Sequence, residues 1–204
     1  YHGVRVDDPY RWLEDPDSPP TMAWTDAQNA LTRSIVDGPL REELRRELQR
    51  LYDYPRASAP VPRGSRYFFT RNSGLQNQPV LYVQDGPAAA PRVLLDPNTL
   101  SMDGTVALSG WERSRTGRRI AYATSTGGSD WQTVRVRDVE SSADFADEIR
   151  WAKFVTISWS AASDGFYYTR FPENASYHPA IYFHRLGEPQ GDDAQVFAAA
   201  EDPE

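Results

Sequence analysis

Serine, histidine and acidic side chains are the groups in this chain whose types could do chemistry, so their spacing comes first. A serine hydrolase carries its nucleophile in a Gly-x-Ser-x-Gly elbow, with Asp and His downstream. No such pentad occurs. Gly127-Gly128-Ser129-Asp130-Trp131 comes nearest, ends on Trp131 in place of glycine, and reads as a hairpin turn. The three histidines, His2, His178 and His184, have no i, i+4 partner and no HExxH arrangement,. His184 falls in a strand-like run and His178 just before it, positions that suit packing or solvent better than a metal. Acidic pairs such as Asp7-Asp8 and Asp192-Asp193 could suggest calcium or acid/base work. Neither has EF-hand spacing, and both sit among turn formers, where carboxylates are mostly solvated. Neither a GxGxxG nor a GKS/GKT phosphate loop is present,. These residues support no catalytic assignment, no cofactor site and no metal site.

Composition narrows the partners. The net charge is −7 over 204 residues, which argues against nucleic acid, whose phosphates call for a basic surface. It equally disfavours an anionic membrane. No run approaches the ~18 apolar residues of a membrane-spanning helix. The chain has no cysteine, so neither a disulfide framework nor a thiolate metal site is available; that suits a reducing compartment. Lys153 is the only lysine, and every other basic residue is arginine. Arg–carboxylate pairing and GC-rich codon usage both explain that bias. The chain begins at Tyr1 without a basic-then-apolar leader,, and both ends read as cuts through a longer protein.

The elements that would position any site change character along the chain. Ser18 reads as a helix N-cap with Pro19 at the first helical position. Trp24, Ala27, Leu31 and Ile35 then recur at helical spacing,. Asp37-Gly38-Pro39 ends that helix, and Leu40, Leu44, Leu48 and Leu51 mark a second. Two such stripes need a further body to bury them. Ala57 to Pro62 reads as a linker. Beyond Arg66 the period falls to two and glycine turns recur at Gly86, Gly104, Gly127-Gly128 and Gly165,.

That second part repeats at about 50 residues. Tyr67–Arg71 aligns with Ile120–Thr124 and Phe166–Arg170, and the partner strands Val80–Asp85, Thr133–Asp138 and Ala180–Arg185 align in turn. Trp111 precedes Gly117 by six residues, as Trp159 precedes Gly165, which reads as a shared lead-in. Short strands repeating at this period are the mark of β-propeller blades. A closed propeller takes about 4–8 blades, and about three are countable. The expected fold is mainly β: a partial propeller over residues 56–204, cut before closure, after a two-helix segment over residues 1–55. Its aromatics, regularly spaced, suit blade cores better than a carbohydrate platform.

A series of segments carries a resemblance. Asp8 to Pro16 (DPYRWLEDP), Tyr52 to Pro55 (YDYP), Gly74 to Asp85 (GLQNQPVLYVQD), Leu94 to Thr99 (LLDPNT), Asp103 to Ala107 (DGTVA) and Gly128 to Gln132 (GSDWQ) follow one another in order. Val136 to Val139 and Trp151 through Trp159 continue it. Together they resemble the N-terminal part of prolyl oligopeptidases, post-proline-cleaving serine peptidases, over essentially the whole chain. DPYRWLED alone would also suit the oligopeptidase B group; GLQNQ and LLDPNT favour the prolyl enzymes.

The resemblance implies a seven-bladed propeller over an α/β-hydrolase domain, with the helical segment belonging to the hydrolase half. It places the catalytic Ser, Asp and His in the C-terminal domain, outside this chain, which alone is expected to be inactive. It implies short proline-containing peptides and that hydrolase domain as partners, with neither nucleic acid nor membrane, and a cytoplasmic location. The propeller would gate access by size. One propeller residue, a Phe in the family, helps line the proline pocket, and Tyr167 stands at the matching position; its added hydroxyl needs a partner when buried, and a blade-core role fits it equally. His178-Pro179 departs from the commoner His-Gln. The rival readings are a non-catalytic propeller-like module binding peptide or protein, and a degenerate pseudopeptidase. The first needs whole blades that close a ring, and an unpaired edge is a hazard that closure avoids.

Overall fold

The computed structural model describes residues 2–173 and 177–198. It divides at Asp53/Tyr54 into two compact units.

The first unit is helical. A short 3-10 turn, Arg11–Glu14, precedes α1 (Pro19–Val36) and α2 (Pro39–Tyr52). Both helices start on proline, whose missing N–H removes a donor that would be unpaired there anyway,. Ser18 occupies the N-cap position in extended conformation, but its side chain caps no helix N–H. Its hydroxyl instead lies 2.9 Å from that of Thr21, which donates to the Trp12 carbonyl at 2.9 Å. This ties the 3-10 turn to the first turn of α1, with Trp12 and Trp24 edge-to-face at 6.4 Å. On α2 the outer faces are laced by Glu42–Arg45 and Glu47–Arg50 pairs, which contribute little individually.

The second unit holds three antiparallel sheets. The first comprises β1 (Arg56–Ala57), β2 (Val61–Arg63), β3 (Arg66–Asn72), β4 (Val80–Asp85) and β5 (Arg92–Leu95). The second runs β6 (Val106–Arg113), β7 (Arg119–Thr126), β8 (Trp131–Asp138) and β9 (Asp144–Lys153). The third runs β10 (Ser158–Trp159), β11 (Gly165–Arg170), β12 (Ala180–Arg185) and β13 (Ala194–Ala198). Each sheet orders its strands as the chain does, the meander of a propeller blade,.

The segment read as a linker, Ala57 to Pro62, instead runs along a sheet edge, with Ala57 in β1 and Val61 and Pro62 in β2. β1 and β2 both pair with β3, one after the other along the same edge. Between them Ser58 N donates to Thr70 O at 3.0 Å, and Thr70 N donates back to the Ser58 hydroxyl at 2.9 Å. A hydroxyl thus replaces a ladder carbonyl where prolines 60 and 62 disturb the strand, and such prolines are tolerated at an edge.

β7 explains how the sheets stack. Ile120 and Tyr122 point to one side, joining Phe68, Leu81, Val83, Leu94 and Leu95 of the first sheet. Ala121 and Ala123 point to the other, joining Trp159, Phe166 and Tyr168 of the third sheet along with Val134, Val136 and Ile149. Strand alternation gives β7 two buried faces, and the alanines leave room for the facing aromatics. Arginines and one indole tie the sheets through backbone carbonyls: Arg92 to Val139 O at 2.6 Å, Arg137 to Leu94 O at 3.0 Å, Arg119 to Ser163 O at 2.9 Å, and Trp159 Nε1 to Glu112 O at 3.0 Å.

The turns before β3, β7 and β11 repeat more faithfully than the Trp-to-Gly spacing suggests. Ser114 N bonds to Arg119 O, and Ser160 N to Gly165 O. That makes Gly117 the counterpart of Ser163, not of Gly165. Gly64, Gly117 and Ser163 all take left-handed φ, at 58°, 67° and 59°. The shared six-residue interval is a coincidence between two different registers. Gly165 serves another need: a Cβ there would lie 2.2 Å from His184 O and 2.6 Å from the Phe183 ring.

Candidate functional site

The residues singled out from sequence fall at separate places. Gly127–Trp131 forms the β7–β8 turn: Ser129 N donates to Thr126 O at 3.0 Å and Trp131 N to Ser129 Oγ at 3.1 Å. Gly127 and Gly128 carry φ of 60° and 75°, so this serine is a turn residue. Trp131 stands at the centre of an aromatic group, edge-on to Trp151 and Phe171 at 5.6 and 6.1 Å, with the Lys153 ammonium 4.2 Å from its ring centre. His178 is exposed, beside the Tyr177 ring at 5.2 Å. Asp7 pairs with Arg5 at 2.9 Å and Asp8 accepts Tyr10 N at 2.9 Å, both exposed.

Tyr167 lies on β11 opposite Ser158 and Phe183. Its neighbours Phe166 and Tyr168 point into the core against the second sheet, so by alternation its ring stands on the far face. There it meets the Phe183 ring at 4.9 Å and is 39% exposed. Ile181 and Phe197, paired across β12 and β13, extend this face and are also exposed. Phe68 on β3 and Ala121 on β7 occupy the same repeat position, and each is buried against the sheet that follows its own.

Asp192-Asp193 is where the expectation of solvated carboxylates fails. Asp193 is buried: Oδ1 lies 2.7 Å from His184 Nδ1, and Oδ2 accepts the Tyr168 hydroxyl at 2.6 Å. Asp147, on β9, lies 3.0 Å from His184 Nε2 and accepts Gly187 N at 2.6 Å. Gln190 completes the group by pairing with both Arg150 N and Arg150 O. Burial pushes the imidazole pKa down, but the hydrogen bonds and charge of Asp193 and Asp147 outweigh it, and the net direction is up,. Both carboxylates push the same way, so an imidazolium donating from both nitrogens satisfies every partner. Tyr168 is pushed up by burial and by Asp193. This cluster staples two sheets; nothing in it is free to attack or to accept a proton from a substrate. Local pattern gave no signal for it, because Asp147 and Asp193 meet only through sheet stacking.

In the helical unit, Trp24, Leu31, Ile35, Leu40, Leu44, Leu48 and Leu51 are all exposed. Ile35, Val36, Leu40, Leu44 and Leu48 line a groove of about 800 Å³ with an apolar wall.

Comparison with known proteins decides the family. All 204 residues match the family described as prolyl oligopeptidase, N-terminal beta-propeller domain. The chain belongs to this family. It is 34% identical over 212 residues to a prolyl endopeptidase of Elizabethkingia meningoseptica, covering 100% of this chain and 30% of that one. It is 34% identical to prolyl oligopeptidase A of Galerina marginata, covering 95% and 31%. Among solved structures, one from a structural and mechanistic analysis of two prolyl endopeptidases superposes with a TM-score of 0.86 at 36% identity, covering 99% and 31%. Prolyl oligopeptidase B from Galerina marginata, bound to a 35-residue substrate, superposes at 0.79 with 30% identity, covering 97% and 31%. The chain therefore spans about 30% of the length of these relatives. It corresponds to their N-terminal propeller portion, and the catalytic domain is outside it. Among the described residues no helix is long and apolar enough to cross a membrane.

Proposed function

We propose that this chain is the helical lead-in and first blades of a serine oligopeptidase that cleaves short peptides after proline. The observation that carries this reading is the alignment of the whole of this chain to 30% of a prolyl endopeptidase, together with three sheets stacked in blade register. In the whole protein a Ser nucleophile, a His base and an orienting Asp, all in an α/β-hydrolase domain of the same polypeptide, perform the hydrolysis. The propeller gates them, admitting short peptides and keeping folded proteins out. Residues 1–55 go with the hydrolase half, and the uncovered leucine stripe of α2 with its groove is the surface that domain covers. Residues 56–204 go with the propeller. The proposal includes a cytoplasmic location.

Tyr167 is the proposed propeller-side residue of the proline pocket. The packing positions of Phe68 and Ala121 favour a second role, burial beneath a following blade. Tyr167→Ala in the full-length protein separates them. Pocket lining raises KM for proline substrates while thermal stability holds; packing lowers the melting temperature, and Tyr167→Phe restores it.

The gating claim is tested with a proline-containing peptide of about ten residues beside the same sequence embedded in a folded protein. Cleavage of the peptide alone is the expected result. Equal cleavage of both contradicts the gate, and cleavage of neither contradicts the peptidase reading.

A further inference from the structure

Three arginines gather around one small pocket in the second unit. Arg63 at the end of β2, Arg113 at the end of β6 and Arg115 in the following turn line a pocket of about 170 Å³ with Glu112, Ser158 and Trp159. Other arginines have their own partners: Arg66 pairs with Asp85 and Glu140, Arg135 with Glu148 and Arg137 with Asp144, Arg119 donates to Ser163 O, and Arg71 and Arg170 lie over aromatic rings. Among the described residues Arg63 and Arg115 have no ion-pair partner. Arg113 has only its neighbour Glu112, at 3.4 Å. Its side chain is 16% exposed, its guanidinium lies 5.9 Å from the Trp111 ring, and its Nε is buried without a hydrogen-bond partner. Leaving a buried charged donor unsatisfied is costly. Three guanidinium groups face one carboxylate here, in a chain whose net charge is −7.

We propose that this pocket binds a peptide carboxylate, either a C-terminus or an acidic side chain. Planar guanidinium forks match a carboxylate in two-pronged fashion. The volume is well below the ~300 Å³ at which drug-sized ligand pockets begin, which suits a carboxylate on a short side chain. The walls are preorganised: all three sheets contribute, the Trp159 indole is fixed on Glu112 O, and a Cβ at Gly117 would approach Arg63 O to 2.9 Å. Close backbone packing thus holds the Arg63 turn against the turn that carries Arg115. Arg113 ends β6, an edge strand of the second sheet among the described residues, beside which an extended peptide can lie. That the carboxylate belongs to a peptide rests on the oligopeptidase reading; the anion preference does not.

The test is calorimetric titration of the full-length protein with acetyl-Ala-Ala-Glu, which lacks proline and is not turned over. The comparison ligands are the acetyl-Ala-Ala-Glu amide, which keeps only the side-chain carboxylate, acetyl-Ala-Ala-Gln with a free C-terminus, which keeps only the terminal one, the acetyl-Ala-Ala-Gln amide, which has neither, and inorganic phosphate. The acidic peptide is expected to bind about tenfold more tightly than its neutral counterpart. Arg63→Gln with Arg115→Gln, both exposed and tolerant of change, is expected to remove that advantage. Arg118→Gln, an exposed arginine on the same turn but outside the pocket, is expected to leave it intact. Equal affinity for the acidic and neutral peptides, or an unchanged advantage in the double variant, overturns the site. Phosphate binding as tightly as the acidic peptide overturns the peptide assignment. Carboxylate binding without any cleavage after proline strikes the oligopeptidase reading and leaves the pocket standing.

Discussion

His184 and Asp147 meet across the boundary between two blades: Nε2 lies 3.0 Å from Oδ1, with both side chains buried. His184 belongs to the third sheet and Asp147 to the second, so each half of the pair is satisfied only while the blades stay together. Asp193 holds the other ring nitrogen at 2.7 Å, which makes the imidazole a charged bridge.

A pH dependence follows from the direction of the His184 shift. The folded pKa is raised above the unfolded value. The bridge therefore contributes fully below the unfolded pKa of about 6.5 and is lost as pH rises through the folded value. Thermal unfolding of the full-length protein should show a decline in the propeller transition above neutral pH, and His184→Gln should flatten it. A wild-type transition independent of pH between 6 and 9 contradicts the bridge.

Removing one anchor should be worse than removing a surface pair. Asp147→Ala leaves Gly187 N without an acceptor and the imidazole with one carboxylate, at a cost of about 3 kcal/mol. Arg45→Ala, which breaks an exposed pair on α2, should cost under about 0.5 kcal/mol. Urea denaturation of the two variants measures the contrast.

Tyr122 makes a parallel contact in the second sheet. Its hydroxyl donates to Asp144 at 2.9 Å, and burial with that carboxylate pushes its pKa up to about 12. Tyr122→Phe keeps the buried ring and should cost about 1 kcal/mol, because Asp144 retains both Arg137 contacts. Ultraviolet titration should show one fewer tyrosine ionising at the alkaline end.

Two substitutions at the start of β11, one in the turn before it and one at its first residue, should act in opposite directions. Ser163 holds a left-handed φ and buries an unpartnered hydroxyl, so Ser163→Gly should stabilise by about 1 kcal/mol. Gly165→Ala forces a Cβ against His184 O and should cost about 3 kcal/mol or more. Melting temperatures of the two variants, moving apart about the wild type, are the readout.

The apolar stripe predicts how the 204-residue chain behaves by itself. With Leu40, Leu44, Leu48 and Leu51 uncovered, and with the third sheet's outer face open, it should self-associate at micromolar concentration. Leu44→Lys with Leu48→Lys should reduce that. Size-exclusion chromatography showing a stable compact monomer of the unaltered chain contradicts this.

Sequence reading reached what local periodicity encodes. The strand triplets at Tyr67, Ile120 and Phe166 appear at the expected register, because alternation and turn chemistry are properties of neighbouring residues. The two helices appear for the same reason, with Pro19 and Pro39 at their starts. What escaped depends on distant residues. Asp193 looks like half of a solvated pair until the second sheet brings Asp147 to the same imidazole. Ser163 does a glycine's work, which no composition rule picks out, and Ala57 to Pro62 pairs as a strand despite its prolines because a serine hydroxyl replaces a backbone acceptor. The arginine pocket is likewise illegible, since Arg63, Arg115 and Ser158 come together only where three blades converge.

The most direct test of the central claim is the intact mass of the native gene product, followed by its rate on a Gly-Pro chromogenic peptide. The account predicts a mass several times 23.1 kDa, cleavage after proline by that protein, and none by the 204-residue chain alone. A native product near 23.1 kDa, or a longer one that leaves the Gly-Pro peptide intact, contradicts it.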